Sequence, residues 1–235
     1  MKLRVLYGGT FDPVHDGHIA VALAAADALD TDIALLPSAD PPHRAPPGAS
    51  AEQRAAMVDL AVAGYPQLSV DRRELQRAAH GRANAAGGSA LPAVAGAAAG
   101  SSYTIDTLRE VRAEIGSSAP LVWLLGVDAF RELQTWREWR EFFALAHFVV
   151  AVRPGHALDQ LDTKLMQATA SRWIVDIETL QSTPAGLLWK LDLPPRHEAA
   201  SSVRERIAAG EEWQHDVAPA VAAYIRAHRL YAAPS

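Results

Sequence analysis

The amino-acid sequence predicts an α/β fold: a doubly wound, mostly parallel sheet with helices on both faces. Two observations carry that expectation. Short apolar runs of strand length recur along the chain, and helical patterns lie between most of them. Parallel neighbours are joined through a crossover, and helices supply it, so alternation at this spacing covers a parallel sheet on both sides. A third observation sets the scale. A chain of 235 residues that is 49% hydrophobic and 21% charged can bury one large core, alone or with an appendage.

Leu3 to Tyr7 is the first apolar run and passes directly into glycines. Ile19 to Leu29, alanine-rich and apolar, reads as the helix that follows, and Ile33 to Leu36 as the second strand. The next helix, Ser50 to Ala63, opens with Ser50 and Gln53 at the spacing of a capping box and carries apolar residues at helical intervals. Leu68 to Val70 is a third strand. Residues 78–100 are nearly all alanine, glycine and other small residues, with neither period nor bulk, and read as a flexible surface insertion. Thr104 to Ile115 is a helix stopped by Gly116, and Leu121 to Leu125, Phe148 to Val152 and Trp173 to Ile177 are further strands. Two last helices, Ser201 to Ala209 and Pro219 to His228, form a small helical C-terminal part, so residues 1–200 are expected as the main domain and 201–235 as its helical appendage.

Composition excludes several functions. A formal charge of -5, with no dense Lys/Arg run, argues against a nucleic-acid partner. No cysteine is present, so disulfides, thiol catalysis and thiolate zinc sites are excluded. The apolar start is too short for a signal peptide and no stretch approaches a membrane span, which points to a cytoplasmic protein with no membrane partner. Nothing repeats at a fixed interval, and no pattern specifies an oligomer.

In open α/β sheets ligands bind beyond the carboxyl ends of the strands. Strand one is followed by Gly8-Gly9-Thr10-Phe11-Asp12-Pro13-Val14-His15-Asp16-Gly17-His18, strand two by Pro41-Pro42-His43-Arg44, Leu125 by Gly126-Val127-Asp128, and Val152 by Arg153-Pro154-Gly155. Two glycines and a threonine after a strand let backbone N–H groups approach a phosphate without obstruction by Cβ. Pro13 suits the start of a helix, which puts His15 and His18, three apart, on one face of its first turn beside the N–H groups of the helix start. Gly17 leaves room there for a base or ribose. The cluster therefore reads as a nucleotide cradle.

It is not a P-loop, because no Gly-Lys-Ser/Thr follows, nor a dinucleotide fingerprint, because the third spaced glycine is missing. A metal site of Asp12, His15, Asp16 and His18 is the competing reading, and a His-x-x-His pair without a third partner at helical spacing is weak support for it.

The stretch Gly8 to His18 resembles the signature of nucleotidyltransferases with the His-x-Gly-His motif, here His15 to His18. Pro41-Pro42-His43-Arg44, Ser102-Tyr103-Thr104, Gly126-Val127-Asp128, Thr135-Trp136 and Arg153-Pro154-Gly155 resemble the nicotinate-mononucleotide adenylyltransferase branch, in the right order over nearly the whole chain. The resemblance implies a Rossmann-like fold and adenylyl transfer from ATP to nicotinate mononucleotide with Mg²⁺, in NAD biosynthesis. It implies that His15 and His18 hold the ATP phosphates, that Gly9, Thr10 and Phe11 line the shared phosphate site, and that Asp128 takes the adenosine ribose hydroxyls, with Gly8 and Gly126 among the nucleotide-binding residues. Trp136 would stack on the pyridine ring, the backbone at Tyr103 and Thr104 would receive the nicotinate end, and His43, Arg44 and Arg153 would belong to the binding site, with Arg44 near phosphates.

Plainer roles compete at three positions: Trp136 as core packing with Trp139, Phe142 and Phe143, Asp128 as a helix cap, and Arg44 as a solvated charge. The family's late Ile-Ser-Ser-Thr-x-Ile-Arg motif aligns with Glu198 to Arg204, which keeps a hydroxyl at Ser201 and the charge of Arg204 and loses the earlier serines. Alternatives are an adenylyltransferase for pantetheine phosphate or nicotinamide mononucleotide, a cytidylyltransferase, a silent nucleotide-binding regulator and a metal-dependent hydrolase.

Overall fold

The structure, a computed structural model, describes residues 3–39, 48–86, 103–153, 158 and 161–233. In chain order the elements are β1 (Arg4–Gly9), α1 (Asp16–Leu29), β2 (Ile33–Pro37), α2 (Ala51–Val62), β3 (Leu68–Val70), α3 (Arg73–Ala86) and α4 (Thr104–Ile115). Then follow β4 (Leu121–Gly126), α5 (Val127–Arg131), α6 (Phe142–Leu145), β5 (His147–Val152), α7 (Thr163–Thr169), β6 (Trp173–Ile174) and α8 (Thr179–Ser182). The chain ends with β7 (Leu188–Asp192), α9 (Ala200–Ala209) and α10 (Pro219–Ala227). The strands form one seven-stranded sheet in the order β3-β2-β1-β4-β5-β7-β6. The β1/β4, β4/β5, β5/β7 and β6/β7 pairs are parallel, with Leu6 opposite Trp123 and Val150 opposite Lys190. This is the doubly wound α/β architecture expected from the sequence, and the strand order reverses at β1 and β4, where such sheets bind ligands.

The described chain divides into two compact units. The first comprises Met1–Gly8, Ala20–Ala34 and Thr104–His197. Its core is the near-continuous apolar run of β4 and β5, buried on both faces as a central parallel strand demands. Phe130, Phe142 and Phe148 are fully buried beside them.

The second unit comprises Gly9–Ile19, Leu35–Tyr103 and Glu198–Ser235. Its frame is α2, whose Ser50 side chain accepts from Gln53 N–H while the Gln53 side chain accepts from Ser50 N–H, the reciprocal cap that the spacing predicts. α10 packs on α2 with Val221, Ala222 and Ile225 buried, and its Pro219 occupies the first turn, where a missing N–H costs nothing.

Four details differ from expectation. α1 begins at Asp16, so Pro13 precedes the helix. α3 runs to Ala86, so the first part of 78–100 is helical, while residues 87–100 lie outside the described residues. β7 and α7 were not foreseen. β6 is shorter than the run from Trp173 to Ile177. Residues 40–47, and with them His43 and Arg44, also lie outside the described residues.

Candidate active site

In the second unit the site is built on the loop that leaves β1. A Cβ on Gly9 would lie 2.7 Å from Phe11 Cζ, so only glycine admits the Phe11 ring at that place. Phe11 is fully buried and has φ of 52°, in the left-handed region. That backbone costs an aromatic residue ~1–3 kcal/mol and persists only where the surroundings impose it.

They do so from both sides. Before Phe11, the Thr10 carbonyl accepts from Arg54 Nη1 at 2.7 Å. After it, the Asp12 carboxylate accepts from Gly48 N–H at 2.8 Å, Ala49 N–H at 3.2 Å and the Tyr231 hydroxyl at 2.7 Å. The Asp12 carbonyl accepts from Arg204 Nη1 at 2.6 Å. Burial, and then the Asp12 charge beside it, push the Tyr231 hydroxyl far above the usual phenol range, so it remains a neutral donor. Asp12 is thus consumed as an anchor. Among the described residues no group of three or more His, Asp or Glu side chains is arranged to hold a metal ion.

His15 and His18 meet as the motif spacing predicts, by a different geometry. His15 caps α1: its carbonyl accepts from His18 N–H at 2.8 Å and Ile19 N–H at 3.3 Å. In return His15 N–H donates to His18 Nδ1 at 3.2 Å, so a side chain three residues on accepts the N–H at the helix start. An Nδ1 that accepts carries no proton, so His18 is the neutral tautomer with its proton on Nε2. The two imidazoles lie against each other with centroids 3.7 Å apart and planes inclined by 34°, and the Phe11 ring meets His18 edge-on at 5.0 Å. A Cβ on Gly17 would stand 2.9 Å from His15 Nδ1, so the glycine makes room for the His15 ring.

In the first unit, Gly8 passes over the Trp123 ring so closely that a Cβ there would collide with it. Tyr7, Val21, Gly126, Val127, Asp128, Ala151, Arg153 and Leu193 line a small cavity of about 30 Å³. Burial pushes the Tyr7 hydroxyl well above its ordinary range, against the pull of Arg153. Gly126 is the N-cap of α5 without any side-chain cap bond, so Asp128 is not the cap. Asp128 stands in the first turn with 74% of its side chain exposed, 3.6 Å from Arg131. Trp136 closes a 3-10 turn and is half-buried, edge-on to Phe142 at 6.2 Å, whereas Trp139 is the buried member, packed on Phe143. Thr104 opens α4 and Tyr103 precedes it.

In the second unit, then, the structure brings together Gly9, Thr10, Phe11, His15, His18 and Arg204; in the first it brings together Gly126, Asp128 and Arg153. Ser201 is exposed on α9, and Arg204 donates to the Asp12 backbone carbonyl, which makes it a support of the loop. Sequence reasoning missed Arg54, Tyr231 and Tyr7. Arg54 was detectable, since it stands among Ala51, Met57 and Val58 on the buried stripe of α2, where a charge needs a reason.

A family model described as cytidylyltransferase-like matches residues 6–206. The probable nicotinate-nucleotide adenylyltransferase of Xylella fastidiosa (strain 9a5c) is 50% identical over 231 residues, 98% of this chain and 96% of that protein. The protein of the same name from Stenotrophomonas maltophilia (strain K279a) is 48% identical over 238 residues, covering 100% and 99%. Among solved structures, the Plasmodium falciparum nicotinic acid mononucleotide adenylyltransferase complexed with NaAD superposes with a TM-score of 0.67 over 98% of each chain, at 14% identity, a likeness of fold. Near half-identity sustained over almost the full length of both sequences, on this fold and with this motif, means that the chain belongs to the nicotinate-nucleotide adenylyltransferase family.

Proposed function

We propose that the chain transfers the adenylyl group of ATP to nicotinate mononucleotide, yielding nicotinate adenine dinucleotide and pyrophosphate on the route to NAD, as a cytoplasmic enzyme. The observation that carries the proposal is the His15/His18 pair, its ring centroids 3.7 Å apart at the start of α1 behind a glycine-rich turn. A 5′-phosphate oxygen of the acceptor attacks the α-phosphorus in line, a new P–O bond forms, and the bond to the β-phosphate breaks with its electron pair leaving on pyrophosphate. The nucleophile is already anionic, so no general base is required. The protein's task is to align two polyanions and stabilise charge moving onto the leaving group.

His18, protonated on Nε2, donates to a phosphate oxygen without gaining charge, and its place in the first turn of α1 favours anions there. The N–H groups of the Gly9 to Phe11 turn take the phosphates. Gly126, Asp128 and Arg153 bind the nucleoside, with the Asp128 carboxylate accepting from ribose hydroxyls, and Trp136 stacks on the pyridine ring while Tyr103 and Thr104 meet the nicotinate carboxylate. Ser201 and Arg44 serve the phosphates, and His43 belongs to the same binding set. Mg²⁺ fits as an ion carried by the triphosphate, since such ions keep phosphate and water ligands and need no protein cage, and it supplies charge neutralisation.

The test is pyrophosphate release with Mg-ATP and, in parallel, nicotinate mononucleotide, nicotinamide mononucleotide and phosphopantetheine. Release that depends on the nicotinate compound is expected. Release with phosphopantetheine alone would reassign the acceptor, and none with any acceptor would overturn the proposal.

A further inference from the structure

Arg54 is wholly buried, and its guanidinium is spread over backbone carbonyls of three separate segments. Nη1 donates to Thr10 at 2.7 Å and Ser38 at 2.8 Å, Nη2 to Ala39 at 2.5 Å, and Nε to Ala49 at 3.3 Å. Thr10 belongs to the turn after β1, Ser38 and Ala39 follow β2, and Ala49 precedes α2. One planar cation therefore fixes the distances among the loops that leave two neighbouring strands. The bond to Thr10 also sets a direction. In a trans peptide the carbonyl and the next N–H point opposite ways, so a Thr10 carbonyl turned onto Arg54 turns Phe11 N–H away from it. Phe11 is the residue held in the left-handed region, and Arg54 grips the peptide immediately before it.

Resting on the function proposed above, we infer that Arg54 is a positioning residue for the phosphate-binding turn, holding Thr10 and Phe11 in the strained conformation that aims their N–H groups at the triphosphate. It touches no substrate. Lysine cannot replace it, because a tetrahedral ammonium has three donors on one atom and cannot reach carbonyls arrayed around a planar fork. A second arginine, Arg112, also donates to several carbonyls, at Leu145, Gly116, Ala119 and Pro184, but none lies in the motif.

The test is calorimetric titration of Mg-ATP into the full-length wild type, Arg54→Lys and Arg54→Gln, with kcat measured at a temperature where circular dichroism shows each folded. The titration separates two roles, because stoichiometry reports the folded fraction and Kd reports the geometry of the turn. The expected result is unchanged stoichiometry with Kd and kcat each worsened about 10-fold to 100-fold, the scale of a misplacement near 1 Å. A Kd and kcat within about twofold of wild type would overturn it, as would reduced stoichiometry at unchanged Kd, or failure of both variants to fold, either of which leaves Arg54 as fold support alone. A wild type that binds no Mg-ATP would overturn the underlying function as well.

Discussion

At the scale of single residues, the His15/His18 pair shows one contact serving both the fold and the chemistry. His18 Nδ1 caps the His15 N–H, and the same bond fixes which nitrogen carries the proton. His18→Ala should lower kcat about 10²-fold to 10³-fold, the scale of losing one preorganised donor, while also removing the acceptor of the His15 N–H. His18→Asn separates the two effects, since its side-chain oxygen can still accept at the cap: it should regain stability in a thermal melt and leave kcat depressed. Near-normal pyrophosphate release by the alanine variant would remove His18 from the mechanism. The motif was legible because its residues are contiguous. The residues that hold it were not: the bonds from Arg54, Arg204 and Tyr231 to Thr10 and Asp12 span 44, 192 and 219 residues, and no local pattern encodes a partner that far away. Gly8, Gly9 and Gly17 were found, but the structure gives each a further cause: the rings of Trp123, Phe11 and His15 occupy the place of a side chain.

At the scale of elements, β7 shows where an apolar-run rule fails. Its burial is interrupted, with Leu188 and Leu191 buried and Lys190 and Asp192 exposed, so it offers no continuous run although it sits between β5 and β6. α3 escaped for a related reason, because Leu75 is its only large apolar residue among alanines and long charged side chains, although Leu75 and Ala78 are buried. Capped helices were easier: Ser50 with Gln53 marks the start of α2, and Gly116, at φ of 82°, follows the end of α4. One staple between elements makes stability depend on pH. His147 opens β5 fully buried, donating through Nε2 to the Thr183 carbonyl at 2.7 Å and accepting Leu187 N–H on Nδ1 at 3.1 Å. Burial is the main reason that its pKa is lowered, with the Thr183 bond opposing and Arg112 adding to the shift. A folded-state pKa below the unfolded value of about 6.5 means that the folded protein binds the proton less readily, so the contribution is complete above about pH 6.5 and is lost as pH falls from there through the folded value. The wild-type unfolding midpoint should therefore drop as the pH falls below about 6.5, and His147→Gln should flatten that arm of the curve. Parallel curves for the two proteins would dismiss His147 as its source.

At the scale of the whole molecule, the chain passes between its two units five times, so neither is a continuous stretch of sequence. The sequence suggested a helical appendage at 201–235, a reading that follows from two helices after the last visible strand. Packing assigns those residues differently. Glu198–Ser235 clusters with Gly9–Ile19 and Leu35–Tyr103, α10 lies against α2, and the Tyr231 ring lies where a side chain on Gly48 would stand. Val203, Val221, Ile225 and Leu230 are all buried. Burying one such side chain is worth ~1.5–3 kcal/mol, and four together approach the ~5–15 kcal/mol by which a domain exceeds its unfolded state. A chain ending at residue 200 also loses Arg204 and Tyr231, two of the groups that hold Asp12. It should lack the wild-type cooperative melt in circular dichroism and take up no Mg-ATP in a calorimetric titration. A separable appendage makes the opposite prediction, a shortened chain that melts with a sharp transition and still binds nucleotide, because its removal would leave the turn from Gly9 to His18 supported from within. The two outcomes differ because Asp12 takes its donors from both sides of residue 200, Gly48 and Ala49 before it and Tyr231 after it.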